Sequence, residues 1–339
     1  MKKSLTIILV IILLLTTTLA LVGCKQAFNA KNVREQIESN LGWHQGGNET
    51  CVYDVFDGDV NVGTYASKMS YVYNETVTLS TSIEEQNRTL ESFSGYKFET
   101  EIIATSIDGI SYEKYSVSYT DLNLAPLLSY SKETTDTIVE IVASYDTKRI
   151  NTTFICDGAV SSDSVKYKSG TMTYDNAYVY QFARTTDLAS TLSISVPTYS
   201  IENQKVSKSN YAISYLADMT APIDTQFVLD RQFVASGEQS ESTFGVADEK
   251  NPVKEETDEE GNVKVTYPYT QTSSIPSYKC TFTSANSSLV RGSISCYIAV
   301  NSLKMPGSDR FASRVVVMMQ EGKMTYKLKS ISYSVASVK

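Results

Sequence analysis

Asp108-Gly109 stands between two runs in which apolar and polar residues alternate, Phe98–Ile107 and Ile110–Tyr119, and that arrangement leaves the chain few choices. A period of two sends successive side chains to opposite faces of a strand, and Asp-Gly between such runs favours the tight left-handed turn that folds one strand back on the next. The pattern recurs along the chain. Asp146-Thr147-Lys148 separates Ile138–Tyr145 from Arg149–Cys156, and Glu321-Gly322 turns Val315–Met319 back into Met324–Val335. Alternation also marks Cys51–Phe56 and Tyr65–Tyr73, with Tyr65, Met69, Tyr71 and Tyr73 on one face. The 23 tyrosines, with many Thr, Ser and Val, suit half-buried pleated surfaces. Hairpins joined this closely predict a mainly β chain, an antiparallel sheet of one or two β units with one or two short helices.

Two segments carry a helical period. Asn32 caps the first, with Glu35 at its third position and Val33, Ile37 and Leu41 as a narrow apolar stripe. The second spans Asp175 to Arg184, with Asp175 as N-cap and Tyr178, Val179 and Phe182 turned inward.

The N-terminus gives an address. Lys2-Lys3, an apolar stretch from Leu5 to Leu21 and then Leu21-Val22-Gly23-Cys24 have the order of a secretory signal peptide. The last four residues resemble the lipobox of bacterial lipoproteins. That resemblance implies cleavage after residue 23 and attachment of diacylglycerol to the Cys24 thiol, which anchors the chain to the outer side of a membrane, at the cell surface or on a periplasmic face. Leu5 to Leu21 lies at the short limit for a spanning helix, and Thr16-Thr17-Thr18 lowers its hydrophobicity, so acyl chains rather than a protein helix are the expected anchor. The expected organisation is 1–23 as signal peptide, 24–48 as lipid anchor, stem and short helix, 49–220 as a first β domain and 221–339 as a second β unit. The second unit includes an acidic loop over 236–261, rich in Asp and Glu and expected to be solvated.

Loss of residues 1–23 removes Lys2 and Lys3 from a chain of formal net charge −8, so the mature protein is more acidic still. It carries no basic stripe, which argues against a nucleic-acid partner. Beyond Cys24 the cysteines are Cys51, Cys156, Cys280 and Cys296, an even set in an exported chain. Cys280 and Cys296 lie symmetrically about Ser288, where Tyr278–Ala285 and Leu289–Ala299 read as a hairpin, so they are the candidate disulfide. Four buried free thiols are the alternative.

Catalytic and metal chemistry find little footing. His44 is the single histidine and sits in Leu41-Gly42-Trp43-His44-Gln45-Gly46-Gly47, a connector from stem to first strand. No nucleophile elbow, phosphate loop or dinucleotide fingerprint occurs. Asp57-Gly58-Asp59-Val60-Asn61 opens like a calcium loop, but Val62 stands where the sixth-position glycine belongs and Lys68 where the bidentate Glu belongs, so a hairpin turn is expected instead. No catalytic residue, metal or cofactor is assigned.

Cys51-Val52-Tyr53-Asp54-Val55-Phe56 with Val62-Gly63-Thr64, Tyr119-Thr120-Asp121 through Leu124-Ala125-Pro126-Leu127, and Tyr174-Asp175-Asn176 through Phe182-Ala183-Arg184 together resemble the bacterial domain of unknown function DUF3108. The resemblance covers roughly residues 49–215 and implies that the antiparallel sheet is curved, a curved sheet or open half-barrel. It brings no site residue with it. The insertion from about Thr81 to Ser94 and everything after about Ala221 fall outside it.

Three functions fit these features. The first is a non-enzymatic, lipid-anchored envelope protein whose β scaffold binds an apolar ligand or an envelope partner. The second is a structural or accessory subunit of an envelope complex with no ligand of its own, and the third a hydrolase using two carboxylates from distant strands.

Overall fold

The computed structural model describes residues 47–146, 148–166, 179–185, 193–202, 205–216, 277–284, 294–299 and 311–335, with shorter pieces at 26–27, 35, 37, 41, 43, 174–175, 246–247, 254–257, 263–266, 269–270 and 303–304. After β1 (Gln26–Ala27) the chain runs as a meander through β2 (Gly47–Asp57), β3 (Val60–Leu79), β4 (Arg88–Thr105), β5 (Ser111–Thr120), β6 (Pro126–Thr134), β7 (Ile138–Tyr145), β8 (Arg149–Cys156) and β9 (Ala159–Lys166). β10 (Tyr174–Asp175) and helix α1 (Val179–Arg184) lead to β11 (Ser193–Glu202) and β12 (Lys205–Leu216). Four short strands follow, β13 (Val246–Ala247), β14 (Lys254–Thr257), β15 (Val263–Thr266) and β16 (Tyr269–Thr270). The chain closes with β17 (Ser277–Ser284), β18 (Ile294–Ala299), β19 (Leu303–Lys304), β20 (Phe311–Ala312), β21 (Val316–Glu321) and β22 (Met324–Val335).

One open 16-stranded sheet takes the order β1-β11-β12-β17-β18-β21-β22-β2-β3-β4-β5-β6-β7-β8-β9, with β10 also on β11. Its pairings are antiparallel except those of β1 and β10 with β11. The sheet curls until β9 comes within 8 Å of β12, Cα to Cα, without joining its ladder. This is the antiparallel sheet that the alternation implies, with the curvature expected from the DUF3108 resemblance. The turn residues do what their chemistry allows: Gly58, Gly109, Gly158 and Gly322 all have positive φ at hairpin tips. Those tips gather at one end of the sheet, at 58–59, 106–110, 135–137, 157–158 and 322–323.

The boundary expected at 220/221 falls within the path of this sheet. β12 pairs with β17 across it, and β22 returns to pair with β2 along its whole length. In the stretch expected as a solvated acidic loop, Glu255 and Glu256 stand on β14, opposite Val265 and Lys264 of β15, so backbone pairing orders part of it.

The sheet's inner face packs on the stem and α1. Ile37 and Trp43 are fully buried there with Cys51, Tyr53, Val55, Met69, Tyr96 and Phe98, and Leu41 packs against them, as the apolar stripe of the first helix requires. The second helix is shorter than its sequence suggests. Asp175 is not its N-cap but a strand residue paired with Tyr199, and α1 begins only at Val179. The side chains expected to point inward, Tyr178, Val179 and Phe182, lie outside the described set. Gln181, Ala183 and Arg184 are buried.

A second cluster lies on the opposite face, since Val117 and Tyr119 stand opposite Glu99 and Lys97, one residue out of step with Phe98. The far half of the β3–β4 hairpin covers it. Register shifts after Val72, with Asn74 and Ser92 both at φ 50°, bend this hairpin over so that Val77, Leu79, Leu90 and Phe93 pack on Val117, Tyr119, Leu128 and Val142. At its tip the Ser82 amide donates to Glu140 Oε2 at 2.9 Å. Gly95 sits at the bend because an added Cβ would lie 2.0 Å from the Thr120 carbonyl oxygen. The polar insertion at 81–94 is thus the end of a folded flap. Tyr73, expected on the face of Tyr65, Met69 and Tyr71, is 72% exposed.

Candidate functional site

Arg184 is the organising charge of the interior. It is 1% exposed, so its donors cannot rely on bulk water and must be satisfied inside. Alternation along β2 turns Glu49 to the same face as Cys51, Tyr53 and Val55, and this places a carboxylate against the end of α1. Arg184 Nη1 donates to Glu49 Oε1 and, at 2.7 Å, to Gln181 Oε1. Nη2 donates to Glu49 Oε2 and to the Ser313 carbonyl, both at 3.0 Å. Burial opposes the charge on Arg184, but Glu49 outweighs it and holds the guanidinium above its ordinary pKa.

The guanidinium also lies 5.1 Å from the centre of the Trp43 ring, in cation–π contact. Trp43 in turn meets Tyr96 and Phe98 edge to face, with centroids 6.0 and 5.8 Å away. One arginine thereby joins the stem, the helix and the sheet. Gln181 extends the network by donating from Nε2 to Ser67 Oγ at 2.9 Å.

Beside Gln181 is a cavity of about 10 Å³, room for one water, lined by Tyr53, Tyr65, Ser67, Thr100, Tyr180 and Met319 among others. The phenols around it are committed. Tyr53 donates to the Val316 carbonyl at 2.8 Å, Tyr180 to Glu321 Oε1 and Tyr326 to Glu321 Oε2 at 3.3 Å. Burial pushes the phenols of Tyr53, Tyr65 and Tyr180 well above their ordinary range, and the Glu321 charge adds to the push on Tyr65 and Tyr180. Burial does the same to the Cys51 thiol, with Glu49 adding to it. At neutral pH these groups are uncharged, with Tyr53 and Tyr180 serving as hydrogen-bond donors and the thiol remaining protonated. The arrangement latches a helix onto a sheet; it does not activate a nucleophile or a base.

Cys24, the expected lipid-attachment residue, and His44 lie outside the described residues. Cys280 and Cys296 are placed directly opposite each other on β17 and β18, as their symmetry about Ser288 requires, with both thiols free and buried. Burial and the facing Cys296 thiol raise the pKa of Cys280. The ladder discriminates among pairings: Cys51 faces Ile331 and Ser67, and Cys156 faces Val139 and Ala159. Directly opposed antiparallel residues have Cα atoms about 4.5 to 5.5 Å apart, inside the window a disulfide spans. Non-reducing peptide mapping of protein exported to an oxidising compartment is therefore expected to return a Cys280–Cys296 peptide, a closure contributing about 3 kcal/mol. Recovery of both thiols alkylated would remove the bridge and leave the hairpin.

The sequence reading did not single out Glu49, Gln181 or Arg184. The available signals were an arginine ending a segment otherwise apolar on its inner side, and the chain's one tryptophan.

No family model matches this chain, and no curated protein matches it either. The DUF3108 resemblance therefore rests on the residues quoted for it. Among solved structures, the crystal structure of a beta-barrel-like protein of domain of unknown function DUF1849 from Brucella abortus is similar, with TM-score 0.42 and 8% identity over 86% of this chain and 100% of that one.

Proposed function

We propose that this protein is a lipid-anchored, non-enzymatic scaffold of the cell envelope, held by acyl chains on Cys24 and serving as a platform for another envelope component. The observation supporting a platform over a carrier is the filled interior. Trp43, α1 and the Arg184–Glu49 pair occupy the inner face, and the cavity beside them is about 10 Å³, against the roughly 300 to 1,000 Å³ of a small-molecule site. An accessory subunit of a larger envelope complex would use the same solid interior. A hydrolase needs two available carboxylates, and among the described residues Glu49, Glu140 and Glu321 are engaged by Arg184, by the Ser82 amide, and by Tyr180 and Tyr326.

Two measurements test this reading. Cys24→Ala is expected to abolish partition into the detergent phase, because only a thiol carries the thioether-linked diacylglycerol; unchanged partition and cleavage would refute the anchor. Organic extraction of the mature chain with mass spectrometry is expected to release no lipid beyond the N-terminal acyl groups. A lipid bound one to one would return the carrier reading.

A further inference from the structure

Among the described residues seven large apolar side chains are exposed, and six of them, Val60, Ile103, Ile107, Ile110, Ile138 and Val160, lie at the hairpin end of the sheet. Apolar side chains scattered singly over a surface need no explanation; a cluster at one end does. Register shows that several share a face. Ile103, Glu113, Thr134 and Ile138 form one row of directly opposed residues across β4 to β7, and Val160 joins that face through Ile155 and Glu140. At about 4.8 Å per strand the rim from β3 to β9 is roughly 29 Å wide.

Acids are interleaved with these side chains. Asp59, Asp108, Glu113, Asp136 and Asp157 are exposed on the same tips, and the segments 57–60, 106–113, 134–138 and 157–160 contain no Lys or Arg. The rim also points away from the proposed anchor. Gln26, two residues after Cys24, pairs with Ile194 near the start of β11, whereas the hairpin end of β11 is Glu202, about eight residues or 27 Å farther on.

We infer that this rim is a docking surface for a basic, aliphatic protein segment, one in which Lys or Arg side chains alternate with Leu, Ile or Val. The inference rests on the platform reading and names its partner's chemistry. The exposed aliphatic side chains of the tips pack against the aliphatic groups, and the acids both steer and pair with the cations. An anionic lipid surface meets like charge here, and so does a second copy of this acidic rim. Pointing away from the membrane, the rim is free to meet a protein partner.

The test uses the purified mature chain and four fluorescent peptides of equal length, alternating Leu with Lys, Leu with Gln, Leu with Glu, and Lys with Gln. The Leu–Lys peptide is expected to bind at least tenfold more tightly than the other three. Its affinity is expected to fall at least tenfold in Ile107→Ser/Ile110→Ser/Ile138→Ser, and likewise in Asp59→Asn/Asp108→Asn/Asp136→Asn. Asp157 is left unchanged because its carboxylate accepts the Ile138 amide at 3.1 Å. All six substituted side chains are exposed, and hydrogen exchange in the unsubstituted protein gives an independent readout, with slowing expected at 57–60, 106–110, 135–138 and 157–160. Equal binding of the Leu–Gln or Leu–Glu peptide overturns the basic partner. So does flotation of the Cys24→Ala chain on phosphatidylcholine vesicles that the triple Ile variant loses, or a sedimenting dimer that it loses. No binding by any peptide, or binding unchanged in both variants, overturns the surface itself. The platform reading fails separately, on stoichiometric lipid release.

Discussion

Arg184→Met is expected to destabilise the protein by about 3 to 5 kcal/mol, the largest loss of any single polar substitution in the interior. The methionine fills much of the arginine's volume, so the effect is electrostatic rather than a cavity. It leaves the Glu49 carboxylate, 5% exposed, without its cation, and leaves Gln181 Oε1 and the Ser313 carbonyl without their donor. Abandoned partners in a low-dielectric interior carry their full desolvation penalty. At about 2 to 4 °C per kcal/mol the thermal midpoint should fall by roughly 6 to 20 °C. Glu49→Leu should do comparable damage by stranding the guanidinium. The double variant Glu49→Leu/Arg184→Met should lose clearly less than the sum, because both charges leave together and the helix can dock on an apolar contact. Thermal denaturation followed by circular dichroism decides the matter: a single-variant loss below about 1 kcal/mol, or additive losses in the double variant, would show that the pair does not hold α1 to the sheet.

The legible part of this structure is local. Asp146-Thr147-Lys148 sits between strands with the same bounds in sequence and structure, Ile138–Tyr145 and Arg149–Cys156, because the Asp146 carboxylate caps the turn by accepting the Lys148 and Arg149 amides. Gly58, Gly109 and Gly322 likewise announce their hairpins through backbone conformations that other residues adopt at a cost. What alternation does not encode is which strand lies beside which. A period of two assigns faces, not neighbours, so nothing in Met324–Val335 says that it returns to β2 instead of ending a separate unit. Nor does alternation say how far a face is covered: Tyr73 is 72% exposed although Tyr71, two residues earlier, packs on the core.

The interior network was invisible for the same reason, since Glu49 and Arg184 are 135 residues apart and meet only through the sheet's global order. A short helix ending in arginine ordinarily places that charge in water near the helix C-terminus. Here the buried residues before it, Gln181 and Ala183, are small or amide-bearing, and they let the guanidinium turn inward. Asp175 competed with this reading as a cap. Its backbone was instead taken by the parallel bridge to Tyr199, which a capping preference worth about 1 kcal/mol cannot outweigh.

Trp43→Ala is expected to cost about 3 to 5 kcal/mol and to release the stem from the sheet. The ring is 1% exposed and touches three partners at once, Tyr96, Phe98 and the Arg184 guanidinium, so its removal opens a void beneath the helix and strips the cation–π face from a buried charge. Ile37, also fully buried, reaches the core through the same stem and loses its support. Limited proteolysis should then cut in the stem before the sheet unfolds, whereas Trp43→Phe, which keeps a ring against Arg184, should remain resistant and lose less than half as much stability. Because Trp43 is the chain's only tryptophan, the unsubstituted protein reports on this directly. Its emission should be blue-shifted and shielded from iodide until global unfolding exposes it. Emission at the wavelength of free tryptophan, or iodide quenching as strong as in the denatured chain, would mean that the stem does not dock. Arg184 would then be held by Glu49, Gln181 and the Ser313 carbonyl without the Trp43 ring, and the smaller loss in Arg184→Met would reveal it.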